Sequence, residues 1–298
     1  MKGLICMMLA LALAAAPLCG SAGGWRHITV AEGADLRADC AGEYAASVTA
    51  GAQLFDVMTV LGALGEGWTL MERGEYAHSD EYRSAGGDEP WEYKHASVED
   101  ATGELWYYDP TVTGERGAEY EAPTMGVLPS ESLAATRAIL DGAVDAEWLS
   151  ALYEVDMARK RWNFSADRWM TDAEYGDYYR NQKSHYFTFA HLTSEGVPVQ
   201  GDCVFVNVGV DGLSGLTLNW HELSESDARI APMPLDEAIS LADSTRERDT
   251  VLYLADLVYS NWLTGSEVYN LSWYLCTSNG DYVVDCVLGK HMCDSYEY

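Results

Sequence analysis

One stretch limits the fold of this chain more than any other: HYFTFAHLTSEGVPVQGDCVFVNVGVDGLSGLTLNW, from His185 to Trp220. Apolar and polar residues alternate along it, and the alternation breaks only where Gly and Pro fall. A period of two sends successive side chains to opposite faces of a strand. The stretch therefore predicts three strands, HYFTFAHL, CVFVNVGV and LTLNWHE, with turns at TSEGVPVQGD and DGLSG. Val204, Val206, Val208 and Val210 share one face, as do Leu216, Leu218 and Trp220. Asn207, Gly209, Thr217 and Asn219 take the other face, which tolerates water. An antiparallel meander with one dry side packs on helices, which predicts an α+β fold.

The flanking segments extend this plan. MPLDEAISLADS has helical spacing, TVLYLADLVYSNW fits strand or helix, and NLSWYLCTSNGDYVVDCVLG is a hairpin about Asn279-Gly280. That turn sets Trp273 opposite Cys286 and Cys276 opposite Val283. Upstream, SLAATRAILDGAVDAEWLSALYEVDMARKRW reads as helix divided at Gly142, and AGAQLFDVMTVLGAL puts Leu54, Met58, Leu61 and Leu64 on one helical stripe. WRHITVAEGADLRADC reads as strand, turn at Gly33, strand, and ELWYYD is the best strand of the loop-rich 66–121 segment. Residues 162–182 mix aromatics and acids without a period. The Pro and Gly of 123–129 predict a hinge between an N-terminal α+β domain, 23–125, and a C-terminal region, 130–298, built of two related helix-plus-hairpin units.

Ahead of these, residues 1–22 combine an early Lys, an apolar run and small residues near Ala22, the three parts of a secretory signal. Cys19 offers an alternative, a lipid anchor, although Leu18 stands where a lipobox has a small residue. No later segment has the roughly 18 apolar residues of a membrane span. The expected location is secreted or at the extracytoplasmic envelope. The formal net charge is −29, with Asp and Glu far exceeding Lys and Arg. Such a field repels nucleic-acid phosphates and anionic lipid, and suits a cationic partner or simple solubility. The 10 Trp and 19 Tyr supply enough apolar area for an acidic chain to fold.

Beyond the leader lie Cys40, Cys203, Cys276, Cys286 and Cys293. An odd number without C-x-x-C suggests neither a complete disulfide framework nor a thiolate zinc site, and leaves one disulfide or buried thiols open. No constellation identifies a reaction. NWHELSES lacks a second His four residues after His221, and GLSG around Ser214 lacks the nucleophile-elbow spacing. NVGVDG has Gly209 at the third calcium-ligand position and Leu218 in place of the closing acid. A calcium ion among the loop acids Asp80, Glu81 and Asp88 stays open. His185 and His191, six residues apart on one strand, lie about 20 Å from one another, too far to share a metal, and read as partly exposed strand residues. No cofactor motif is present.

PMPLDEAISLADS followed by LSWYLCTSNGDYVVDCVLG resembles the signature of PepSY-type modules: a helix bearing Glu237-Ala238, then a Trp-bearing strand returning through Tyr282, Asp285 and Gly289. Cys286 stands where Ala is usual. GVPVQGDCVFVNVGVDGLSGLTLNW is similar to the strand pattern of thermolysin-type propeptides. The layout as a whole is similar to uncharacterised secreted lipoproteins of Gram-positive anaerobes, whose C-terminal part resembles Yyc-type extracytoplasmic regulators. The resemblance implies PepSY- or cystatin-like units and binding, inhibition or regulation at the envelope, with no catalytic residue.

The expectation is a non-enzymatic module that contacts an envelope protein through the exposed meander face or the hairpin edge, with Tyr274, Asn279, Asp281 and Tyr282 as candidate contact residues. The rival readings are a wall- or glycan-acting hydrolase and a passive acidic envelope protein.

Overall fold

The computed structural model describes residues 28–37, 42–73, 78–86, 92–113, 122–243 and 249–295. The leader, Cys19, Cys40 and Asp88 lie outside the described residues.

In chain order the first elements are β1 (Ile28–Leu36), β2 (Tyr44–Ala45), β3 (Ser47–Gln53), α1 (Val57–Leu64), β4 (Thr69–Leu70), β5 (Ser79–Arg83), β6 (His95–Glu99) and β7 (Leu105–Tyr108). Then come α2 (Pro110–Thr113), α3 (Pro129–Ile139), α4 (Glu154–Arg159), β8 (Trp162–Asn163), β9 (Arg168–Trp169), α5 (Asp172–Arg180), β10 (Ser184–Leu192), β11 (Pro198–Gly209) and β12 (Gly212–Leu218). The last are β13 (His221–Glu225), β14 (Arg229–Ile230), α6 (Leu235–Asp243), β15 (Thr250–Ser260), β16 (Val268–Thr277), β17 (Gly280–Asp285) and β18 (Lys290–Ser295). Among the described residues no helix is long and apolar enough to cross a membrane.

The fold is mixed, with helices around a large, mostly antiparallel sheet of 14 strands. Its two halves join at one parallel pairing, Val199 with Tyr259. The first half is the β10–β11–β12 meander, continued through β7, β6, β5 and β4. The second half is β15–β16–β17–β18, with β1 parallel to β15 and with β3 and β13 continuing from the start of β16. Strands that precede the expected hinge thus pair within both halves, and the 23–125 and 130–298 segments do not form separate sheets. An unpaired strand edge exposes a row of N–H and C=O groups. The edges of β12, β15 and β16 are closed by β7, β1 and β3 from the N-terminal segment.

The inward row of the meander is as expected at Val204, Val206, Val208, Leu216, Leu218 and Trp220, and Phe187 and Phe189 of β10 join it, whereas Val210, beyond the end of β11, is exposed. Against this row pack Val60, Leu61 and Leu64 of α1 and the Leu140, Val144 and Leu149 segment after α3. The expected stripe on α1 is rotated: Leu54 and Met58 are exposed. The helix begins only after Asp56, whose side chain accepts from Thr59 N and caps it, so Leu54 precedes the first turn. α3 ends at Ile139 with Leu140 as its C-cap, Gly142 takes a φ of 81° just beyond it, and the stretch expected to be helical after Gly142 is turns until α4 begins at Glu154. Gly33, at φ 70°, marks an irregularity within one long strand β1 rather than a turn between two.

The second half is covered on both faces. Ala238 and Ala242 of α6 lie with Leu271, Trp273 and Leu275, while Val155 of α4 and Trp162 lie with Tyr253, Tyr274 and Cys276. A strand covered on both sides needs no alternation, which is why TVLYLADLVYS was ambiguous in sequence. The hairpin register differs from expectation by two residues: Trp273 pairs with Val284 and Cys276 with Asp281. The turn residues are Ser278 and Asn279, because Thr277 pairs with Gly280. Ser278 N donates to Val251 O at 2.9 Å and Asn279 Nδ2 to Asp249 O at 3.0 Å, which ties this turn to β15. Cys203 and the buried Cys276 are free thiols.

The unassigned 162–182 segment is the β8–β9 hairpin followed by α5. Thr171 and Glu174 form a reciprocal capping box at the start of α5. The T-D-A-E spacing was the signal for it.

Candidate functional site

The solvent face of the meander carries two cross-strand rows. Trp106, Thr217, Phe205 and Thr188 are aligned across β7, β12, β11 and β10. Tyr108, Gly215, Asn207 and Tyr186 make the adjacent row. Trp106 and Tyr108 stack at 5.8 Å and 15°, and Tyr186 and Phe205 at 6.0 Å and 28°. Between the two aromatic pairs β12 presents only Gly215 and Thr217. Strands lie about 4.8 Å apart, so Trp106 and Phe205 are about 10 Å apart across a shallow trough. These rings are open to solvent: Trp106 is 46% exposed, Tyr186 39% and Phe205 36%.

At the β10 end the face runs into a cleft of 740 Å³. Its walls include Lys160, Trp162, Phe164, Tyr178 and Tyr179, and it shares Tyr186 and Phe205 with the open face. The floor comes from α4 and the residue after it. Lys160 Nζ sits 3.5 Å from Asp156 Oδ2 and 3.8 Å from the centroid of the Tyr186 ring. Burial draws the Lys160 ammonium below its usual range, opposed by Asp156. Burial likewise pushes the Tyr186 hydroxyl up to about 12, so it stays protonated at neutral pH. Asp156 Oδ2 also accepts from Thr188 Oγ1 at 2.7 Å. Arg159 Nη1 pairs with Asp281 Oδ2 at 2.9 Å. The formal charges of Asp156, Arg159 and Lys160 are thereby compensated within the protein.

Several hydrogen-bonding groups of the cleft are not. Trp162 Nε1 is a buried donor without a partner. Asn163 uses its Oδ1 for the N–H groups of Ser165 and Ala166, which leaves the Nδ2 donors. The described bonds of Asp156 all use Oδ2, which leaves Oδ1 as an acceptor.

Of the residues nominated from sequence, Tyr274, Asp281 and Tyr282 are buried, and Asn279 alone is exposed. The hairpin edge is closed as well, since β18 pairs along β17. The reason is the double coverage of this half, which leaves β17 no wet face. Tyr274 donates its hydroxyl proton to Asp281, and Asp281 holds Arg159. These two residues prop α4 from beneath, and α4 is the floor of the cleft.

The histidines are placed differently from expectation. His185 is buried between Ser132 Oγ at 2.9 Å and Tyr179 O at 3.0 Å, and burial lowers its pKa. His191 and His221, from separate strands, meet on the fully buried Asp202 at 2.7 and 2.9 Å through their Nδ1 atoms. His221 Nε2 lies 3.1 Å from Thr102 O. Asp202 continues the inward row of Val204, Val206 and Val208, and a carboxylate in that row was the signal for a buried pairing. Among the described residues no three His, Cys, Asp or Glu side chains are grouped to hold a metal. Asp80 pairs with Arg73 at 3.5 Å and Glu81 accepts from Ser79 Oγ at 2.8 Å.

On the other side of α4 a cleft of 940 Å³ contains Arg37, Glu154 and Asp256. Arg37 Nη1 lies 2.8 Å from Glu154 and 3.4 Å from Asp256, so one guanidinium ties β1 to α4 and β15. Burial pushes the Asp256 carboxyl up to about 6 despite Arg37.

No family model and no curated protein matches the chain. Among solved structures it is similar to the Bacillus megaterium YpeB C-terminal domain, with a TM-score of 0.41 and 10% identity over 83% of this chain and 100% of that one. An uncharacterised protein from Eubacterium rectale has the same TM-score and identity over 86% of each chain.

Proposed function

We propose that this protein is a non-catalytic binding module of the extracytoplasmic envelope, exported by the 1–22 leader and either released or tethered at Cys19. Its ligand surface is the aromatic face of the β10–β11–β12 meander together with the cleft beside it. The observation that carries this reading is the exposure of Trp106, Tyr186 and Phe205 on one regular sheet face. Large aromatics kept in water on a packed scaffold represent unrealised burial, at about 25 cal/mol per Å² of apolar area covered. The order of elements supports the PepSY-like part of the reading: α5 precedes the meander β10–β12 as α6 precedes β15–β17, and α6 lies on the second of them.

The test is co-sedimentation of the purified protein with isolated envelope material. The paired substitution Tyr186→Ala, Phe205→Ala should weaken binding at least tenfold while the far-ultraviolet circular dichroism spectrum is unchanged. Equal sedimentation of the variant and the parent would remove the meander face from consideration.

A further inference from the structure

We infer that the meander face and its cleft bind a neutral glycan chain, a deduction that rests on the binding surface proposed above. Charge is the first ground. Lys160 is matched by Asp156 and Arg159 by Asp281, so the cleft offers no uncompensated charge to an ionic ligand. The −29 field of the whole chain adds repulsion against anions. Hydrogen bonding is the second ground. Asn163 uses only its Oδ1 and Asp156 only its Oδ2 in bonds within the protein, which leaves the Asn163 Nδ2 donors and the Asp156 Oδ1 acceptor at the cleft. A hydroxyl donates and accepts at the same atom, so a polyhydroxylated ligand satisfies both kinds.

Shape is the third ground. The aromatic pairs Trp106/Tyr108 and Tyr186/Phe205 each stack within the pair on the solvent face and are separated by the small residues of β12. The face of an aromatic ring is electronegative and favours the weakly positive C–H bonds on the flat side of a pyranose ring. Successive sugar rings of an extended chain lie flat in one plane. An extended peptide instead sends alternate side chains outward and needs pockets to receive them, and the open face has only the shallow trough at Gly215 and Thr217. The cleft volume of 740 Å³ lies within the range of small-ligand sites.

The experiment titrates the full chain with chitotetraose and with cellotetraose, reading intrinsic Trp fluorescence and isothermal calorimetry. Polygalacturonate and a proline-rich peptide serve as the anionic and peptide comparisons. Saturable binding of at least one neutral oligosaccharide is expected, changing less than threefold between low and high salt. Tyr186→Ala should weaken it about tenfold. Thr217→Arg, which fills the trough and leaves every aromatic in place, should do the same.

Absence of saturable binding to both neutral oligosaccharides, or binding indifferent to both substitutions, overturns the inference. A second arm separates it from the broader reading. Envelope material is treated either with a mixture of chitinase, cellulase and lysozyme, which cleave 1,4-linked glycan chains, or with protease. Loss on the glycan hydrolases alone supports the glycan. Loss on protease alone, still dependent on Tyr186, overturns the glycan and leaves the binding surface standing. Envelope binding independent of Tyr186 and Phe205 overturns both.

Discussion

Replacing Asp281 by Asn tests whether the C-terminal hairpin supports the cleft. The Asp281 side chain is 4% exposed and its partner Arg159 25%. Breaking a buried ion pair by removing one partner costs about 3–5 kcal/mol, mostly because the remaining charge stays desolvated. A quarter of Arg159 reaches water, and the Asn carbonyl still accepts from the Tyr274 hydroxyl, so the expected cost is about 2–3 kcal/mol. In a domain of this size each kcal/mol lowers Tm by about 2–4 °C, which makes the expected drop roughly 5–10 °C. Thermal unfolding followed by circular dichroism reads it directly. The same substitution in an Arg159→Met background should then cost under about 1 kcal/mol, because no charge is left stranded. A Tm change below about 2 °C, or an undiminished penalty in the Arg159→Met background, would refute the argument that this pair is what matters at Asp281.

Four further outcomes follow from the same structure. Asp202→Ala leaves the Nδ1 groups of His191 and His221 without their acceptor and should cost about 2–4 kcal/mol by urea unfolding. Thr171→Ala removes the N-cap of α5 and should cost about 1 kcal/mol, with hydrogen exchange quickened at Glu174 N. Burial lifts the Asp256 carboxyl to about 6 from its ordinary 3.8, so the folded chain holds that proton more tightly than the unfolded one. Its contribution to stability is therefore greatest below about pH 4 and is lost as pH rises through about 6; the wild type should lose about 2–3 kcal/mol relative to Asp256→Asn over that interval. Alkylation should modify Cys203, whose thiol burial pushes up to about 12, and the fully buried Cys276 more slowly in the native protein than in the unfolded chain.

Much of the local structure was legible because it rests on short-range rules. The two-residue period over His185 to Trp220 located three meander strands and most of their dry face, but β11 and β12 begin at Pro198 and Gly212, inside the stretches read as turns, and β12 ends at Leu218. The hairpin was legible, but its register was not. Asn279-Gly280 is a strong turn signal, yet hydrogen bonds from Ser278 and Asn279 to β15 select the neighbouring turn. The stripe on α1 was displaced for a similar reason, since periodicity does not say where the cap falls.

The site was legible only in its outline. The sequence points to the exposed meander face or the hairpin edge, and of the hairpin residues Tyr274, Asn279, Asp281 and Tyr282 only Asn279 is exposed. The burial of the others depends on β18, α4 and Arg159, which are separate segments of chain. The meeting of His191 and His221 on Asp202 depends in the same way on β10, β11 and β13 lying together.

What the sequence alone determined is the class of local structure: alternation, caps and turns act within a few residues and need no partner. What only the tertiary structure decided is which strand edges are closed and which aromatic side chains stay in water. Those outcomes depend on pairings such as β7 with β12 and β1 with β15, between segments far apart in the chain, and no local period records which edge will close on which.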